Sequence, residues 1–139
     1  MGPTTEPVVM VDAHECSYGL ALHMATDTFA GLRLVRRVFE DLSEGTRTSV
    51  ELQREPWVRL QRPGTAVFSV TAPRERRGIL IKTGGATGQF RVTWRLPASD
   101  WDMVAELLDR MFDDPEKPGH QYLTEFMLVP EVVVVSYRE

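Results

Sequence analysis

Asp12-Ala13-His14-Glu15-Cys16 is the densest run of metal-ligating and nucleophilic side chains in this sequence. A zinc site needs three or four converging donors, usually supplied by paired motifs at fixed spacing. Cys16 has no second cysteine to join it, and His14 has no histidine four residues further on. Consecutive side chains of an extended segment point to opposite sides, so few of the five can share one ion. The run therefore reads as a polar loop entering a strand, with no metal site expected. Cys16 and His120 are the types that make a nucleophile and a base when folding brings them together. No local signature surrounds Cys16, and an inert thiol is the expectation.

Two further strings invite chemistry. Gly84-Gly85-Ala86-Thr87-Gly88 has the composition of a phosphate cradle, but such a cradle leads from a strand into a helix whose amides face the anion. This one leads into the alternating run that starts at Phe90, so a hairpin loop is expected and no nucleotide cofactor. Pro118-Gly119-His120-Gln121-Tyr122-Leu123 follows an acidic helix end and offers three polar side chains in succession, His120, Gln121 and Tyr122. As a loop it could line a small-ligand cleft; equally, Tyr122 and Leu123 could anchor it to the core.

Charge is unevenly spread. The formal value of −4 averages a first segment (1–46) of three basic and seven acidic residues, a middle (47–95) of ten and three, and an end (96–139) of three and ten. Asymmetry of this kind bears on partners and steering rather than on fold. Asp109, Asp113, Asp114 and Glu116 would face a basic partner. Arg59, Arg62, Lys82, Arg91 and Arg95 would form a basic sheet face able to neutralise phosphates or carboxylates.

The elements that must position these groups follow from periodicity. Tyr18–Ala25 alternates bulky and small residues and predicts a strand, with His23 on its less buried side. Thr26-Asp27-Thr28 supplies N-cap oxygens, apolar residues from Phe29 to Leu42 recur at helical spacing, and Gly45 ends a first helix near residues 43–44. A meander is expected next, with strands at 50–53, 57–61, 65–71, 79–83 and 90–96. Phe90, Val92, Trp94 and Leu96 form the oily side of the last of these, with Arg91 and Arg95 on the other. Ser99, with Asp102 three residues on, predicts the cap of a second helix whose stripe is Trp101, Val104, Ala105, Leu108, Met111 and Phe112. Residues 131–137 close the chain as a central strand. The expected fold is α+β: a mostly antiparallel sheet of five to seven strands, with two helices packed on one face.

The 139 residues suit one domain over 8–139, preceded by a flexible tail at 1–7. Composition excludes a disordered chain, and the longest apolar runs fall far short of a membrane helix. With neither a basic n-region nor an apolar h-region at the start, a cytosolic protein is expected. Gly119-His120-Gln121-Tyr122-Leu123-Thr124 and Val134-Val135-Ser136-Tyr137, with Trp101 early in the second helix, resemble small uncharacterised actinobacterial proteins. That resemblance implies a bacterial source and carries no activity. The 14 arginines against two lysines agree with a GC-rich genome.

Three functions fit these features. The first is a non-catalytic protein-binding module, of the inhibitor or immunity-protein sort, using the acidic helix end and the His120 string. The second is nucleic-acid binding by the basic face, weakened because Phe90 and Trp94 lie on the opposite side, where no base could stack. The third is a small-ligand or enzyme site around His120. Homodimerisation through Trp57 and edge strands is compatible with all three.

Overall fold

Thr28 starts the first helix as expected: its Oγ1 accepts a hydrogen bond from the Gly31 amide at 2.9 Å. The helix, α1 (Phe29–Glu44), ends at Gly45 in the left-handed region at φ 80°, where glycine carries no Cβ penalty. Its buried stripe is Gly31, Leu32, Val35, Val38, Phe39 and Leu42. Gly31 is there for close approach, because a Cβ would lie 2.1 Å from Thr26 Oγ1. The second helix, α2 (Ala98–Asp109), begins earlier than the Ser99 cap predicted. The Pro97 carbonyl accepts from the amides of Asp100 and Trp101. Proline's fixed φ suits a helix start, so Ser99 falls inside the first turn, capping nothing.

The computed structural model describes residues 8–16, 19–72, 75, 78–83, 88–127 and 129–139. The tail at 1–7, Tyr18, most of the Arg74–Gly78 turn and residues 84–87 of the glycine loop lie outside them. The described strands are β1 (Val9–Cys16), β2 (Gly19–Thr26), β3 (Ser49–Glu51), β4 (Val58–Leu60), β5 (Gly64–Val70), β6 (Gly78–Lys82), β7 (Phe90–Leu96), β8 (Gly119–Tyr122) and β9 (Val132–Tyr137).

They form two mixed sheets, β4-β1-β2-β9-β8 and β3-β5-β7-β6, which corrects the single, mostly antiparallel sheet expected. Chain neighbours β1–β2, β6–β7 and β8–β9 pair antiparallel. Distant strands β1–β4, β2–β9 and β5–β7 pair parallel. Alternation tells which side of a strand is oily but says nothing about which strand lies beside it, so the partition was invisible in the pattern. Two strands were also missed. Val9, Val11 and Ala13 are buried, which makes the supposed polar loop the outer side of β1. The supposed loop at Gly119–Tyr122 is edge strand β8. β9 is interior, as expected, between β2 and β8.

The inner faces of both sheets and both helices share one apolar cluster. At its centre Phe39 (α1), Phe68 (β5), Trp94 (β7) and Trp101 (α2) are all in mutual ring contact, with centroids 4.8–6.1 Å apart. Trp101 donates its indole N–H to the Ser69 carbonyl at 3.0 Å, tying α2 to β5. No described helix is long and apolar enough to cross a membrane.

Candidate functional site

Packing Phe90, Val92, Trp94 and Leu96 inward leaves Arg91, Thr93 and Arg95 on the outer face of the four-stranded sheet. Register then sets three rows across it. Lys82 and Thr65 flank Arg91, Leu80 and Val67 flank Thr93, and Gly78 and Ser69 flank Arg95. The middle row mixes types, with Leu80 and Val67 either side of Thr93 and Glu51 of β3 beyond Val67, and Leu80 is 50% exposed. Lys82 and Arg91 form no ion pair among the described residues, whereas Arg95 holds Glu75 at 2.9 Å. Val129 and Glu131, from the segment before β9, wall a shallow cleft of about 660 Å³ with Gly78, Leu80, Thr93 and Arg95. The cleft wall thus mixes aliphatic Leu80 and Val129 with the charges of Arg95 and Glu131.

The other two arginines of the expected basic face lie elsewhere. Arg59 belongs to β4, at the edge of the five-stranded sheet. Arg62 is committed to Asp12: its Nε lies 2.7 Å from Oδ1, and Nη2 donates to Oδ2 at 3.2 Å. The basic face therefore comprises Lys82, Arg91 and Arg95.

The acidic helix end is divided as well. Arg36 of α1 takes the Asp109 carboxylate with Nε and Nη2, and its Nη1 pairs with Glu40. That bidentate contact holds the Arg36 guanidinium above its ordinary pKa, the Asp109 hydrogen bond being the largest cause. Asp114 accepts from the Glu116 amide at 2.9 Å, and Glu116 pairs with Arg138 at 3.2 Å. Asp113 has no ion-pair partner among the described residues. It lines a cleft of about 210 Å³ with Asp114, Lys117, His120 and Gln121. The structure thus brings four of the expected site residues together and removes Asp109 and Glu116 from that group.

His120 and Tyr122 alternate onto the outer face of the five-stranded sheet, and their rings meet edge-on at 5.3 Å. His120 Nδ1 lies 2.9 Å from Glu139 Oε1. On the same face β1 contributes Asp12 and His14, β2 contributes His23, and β9 contributes Ser136. All three histidines of the chain are therefore gathered on one sheet face. His14 and His23 meet edge-on at 6.3 Å, and His23 Nε2 lies 2.6 Å from Ser136 Oγ. Burial lowers the His23 pKa, His14 lowers it further, and Glu139 and Asp12 oppose the shift.

No family model, curated protein or solved structure matches this chain. Its chemistry is accordingly read from these two faces. Among the described residues no three His, Cys, Asp or Glu side chains converge as a metal site. Ser136 and Glu139 escaped the sequence reading. Ser136 could have been found from the alternation of β9, which turns it away from Val135 and Tyr137, but only with β2 known to be the neighbouring strand.

Proposed function

We propose that this protein is a protein-binding module whose binding surface is the outer face of the four-stranded sheet. The observation that carries the reading is Leu80: a large aliphatic side chain, half exposed in mid-strand, beside Lys82 and Arg91, which form no ion pair among the described residues. The matching partner is a protein surface presenting an aliphatic or aromatic side chain to the Leu80–Val129 cleft and carboxylates to the surrounding cations. Apolar burial at the centre supplies affinity, and the charges supply orientation and rate of encounter. Nucleic acid fits this face less well, because Phe90 and Trp94 are buried and Leu80 offers no stacking ring. The acidic residues Asp113 and Asp114 lie off this surface and serve as its internal control.

Selection of binders from a peptide display library against the intact chain tests the proposal. Recovered peptides should combine an aliphatic or aromatic anchor with Asp or Glu. They should lose about 30-fold in affinity on Leu80→Glu, the loss of one central apolar contact worth about 2 kcal/mol. Basic peptides, or binding indifferent to Leu80→Glu, would refute it, as would tight salt-dependent binding of DNA or RNA in preference to every peptide.

A further inference from the structure

His23 and Ser136 lie far apart in the sequence but on neighbouring strands. β2 and β9 run parallel, with His23 level with Val134 and Ser136 level with Ala25. The imidazole leans along the sheet to reach the hydroxyl, and the 2.6 Å separation of Nε2 from Oγ is a short hydrogen bond. On the far side of Ser136 stands His120, its partner in the β8–β9 register.

We propose that Ser136 and His23 form a nucleophile and general-base pair that accepts the acyl group of small activated carboxylic esters, an activity separate from the binding face. Geometry supports the assignment before electrostatics, since a base must lie within hydrogen-bond reach of the proton it removes. Burial lowers the His23 pKa below the usual imidazole range, which favours the neutral ring that a general base requires. Once it takes the proton, the imidazolium is stabilised by the carboxylates facing it, Glu139 beside His120 and Asp12 opposite it in the β1–β2 register. His14 and His120 face it too and disfavour its charge, while Arg62 is held by Asp12.

In the acylation step the Oγ–C bond forms as the C–O bond to the leaving group breaks. The Oγ proton passes to His23 Nε2 and then to the departing oxygen. In release, water attacks the acyl-serine carbon, gives a proton to His23, and the Oγ–acyl bond breaks as that proton returns to Oγ. The products are a carboxylic acid and an alcohol. Ser136 is 8% exposed, which favours the smallest acyl group, acetyl, over a long acyl chain.

The test is incubation of the intact chain with p-nitrophenyl acetate, followed by mass mapping of the acetyl adduct and timing of p-nitrophenol release. The expected result is an adduct on Ser136, absent in Ser136→Ala and formed about 100-fold more slowly in His23→Gln, the lower range for loss of a general base. Should His23→Gln fold poorly, the pH profile of the unaltered chain decides. The Ser136 rate should rise with the deprotonation of His23, with a midpoint below the ordinary imidazole value. Acetylation confined to lysines, or a Ser136 rate that simply tracks hydroxide, overturns the assignment. Neither outcome touches the binding role of Leu80, which lies on the other sheet.

Discussion

Asp109 is held by Arg36 across the contact between α2 and α1, through Nε to one carboxylate oxygen and Nη2 to the other at 3.2 Å. A carboxylate that composition marks as part of a docking patch thus fastens two helices together. Both partners stay partly exposed, so solvent screening limits the contribution to about 0.5–1 kcal/mol. Asp109→Ala should lower the unfolding free energy by that amount, and Asp113→Asn should leave it unchanged. Chemical denaturation of the two variants compares them directly.

Gly31 sets how closely α1 can start to β2. A Cβ there would stand 2.1 Å from Thr26 Oγ1 and 2.9 Å from Thr28 Oγ1, the latter being the cap itself. Gly31→Ala should therefore destabilise by about 1–3 kcal/mol, the range for overpacking, although alanine is the better helix former by about 1 kcal/mol. A Gly31→Ala variant as stable as the parent in thermal unfolding would contradict the close approach.

His23 makes stability depend on pH with a definite sign. Its folded pKa lies below the ordinary imidazole value of about 6.5, so between the two values the unfolded chain binds a proton that the folded chain does not. Stability then rises with pH across that interval. The contribution of a neutral His23 is complete above about 6.5 and is lost as pH falls toward the folded value. Unfolding midpoints measured at pH 7.5 and at pH 5 should differ less in His23→Gln than in the parent. An equal difference in both would assign the acid sensitivity elsewhere.

Much of this fold was legible where one residue type fixes one geometry. Thr28 and Gly45 bracket α1, and the Phe90–Leu96 alternation gives β7 residue for residue. Strand partners were not legible, because the same oily stripe can face a core in either sheet. Asp12 and His14 drew attention to the polar side of residues 12–16, so the buried Val9, Val11 and Ala13 on the other side of β1 went unused. The basic face was half legible: Arg91 and Arg95 alternate on one strand and Lys82 joins them in register, but Arg59 lies on β4 of the other sheet and Arg62, in the turn after it, is held by Asp12. Leu80 was not singled out, since exposure of one aliphatic residue within an apolar strand depends on what packs over it.

Amide chemical-shift mapping of a selected acidic peptide on the intact chain tests the central claim most directly. Shifts are expected on 79–82, 91–95 and 129–131, weakened by added salt through screening of Lys82 and Arg91 and lost in Leu80→Glu. Shifts centred instead on 109–122, with β6 and β7 silent, would contradict it and return the binding role to the acidic helix end.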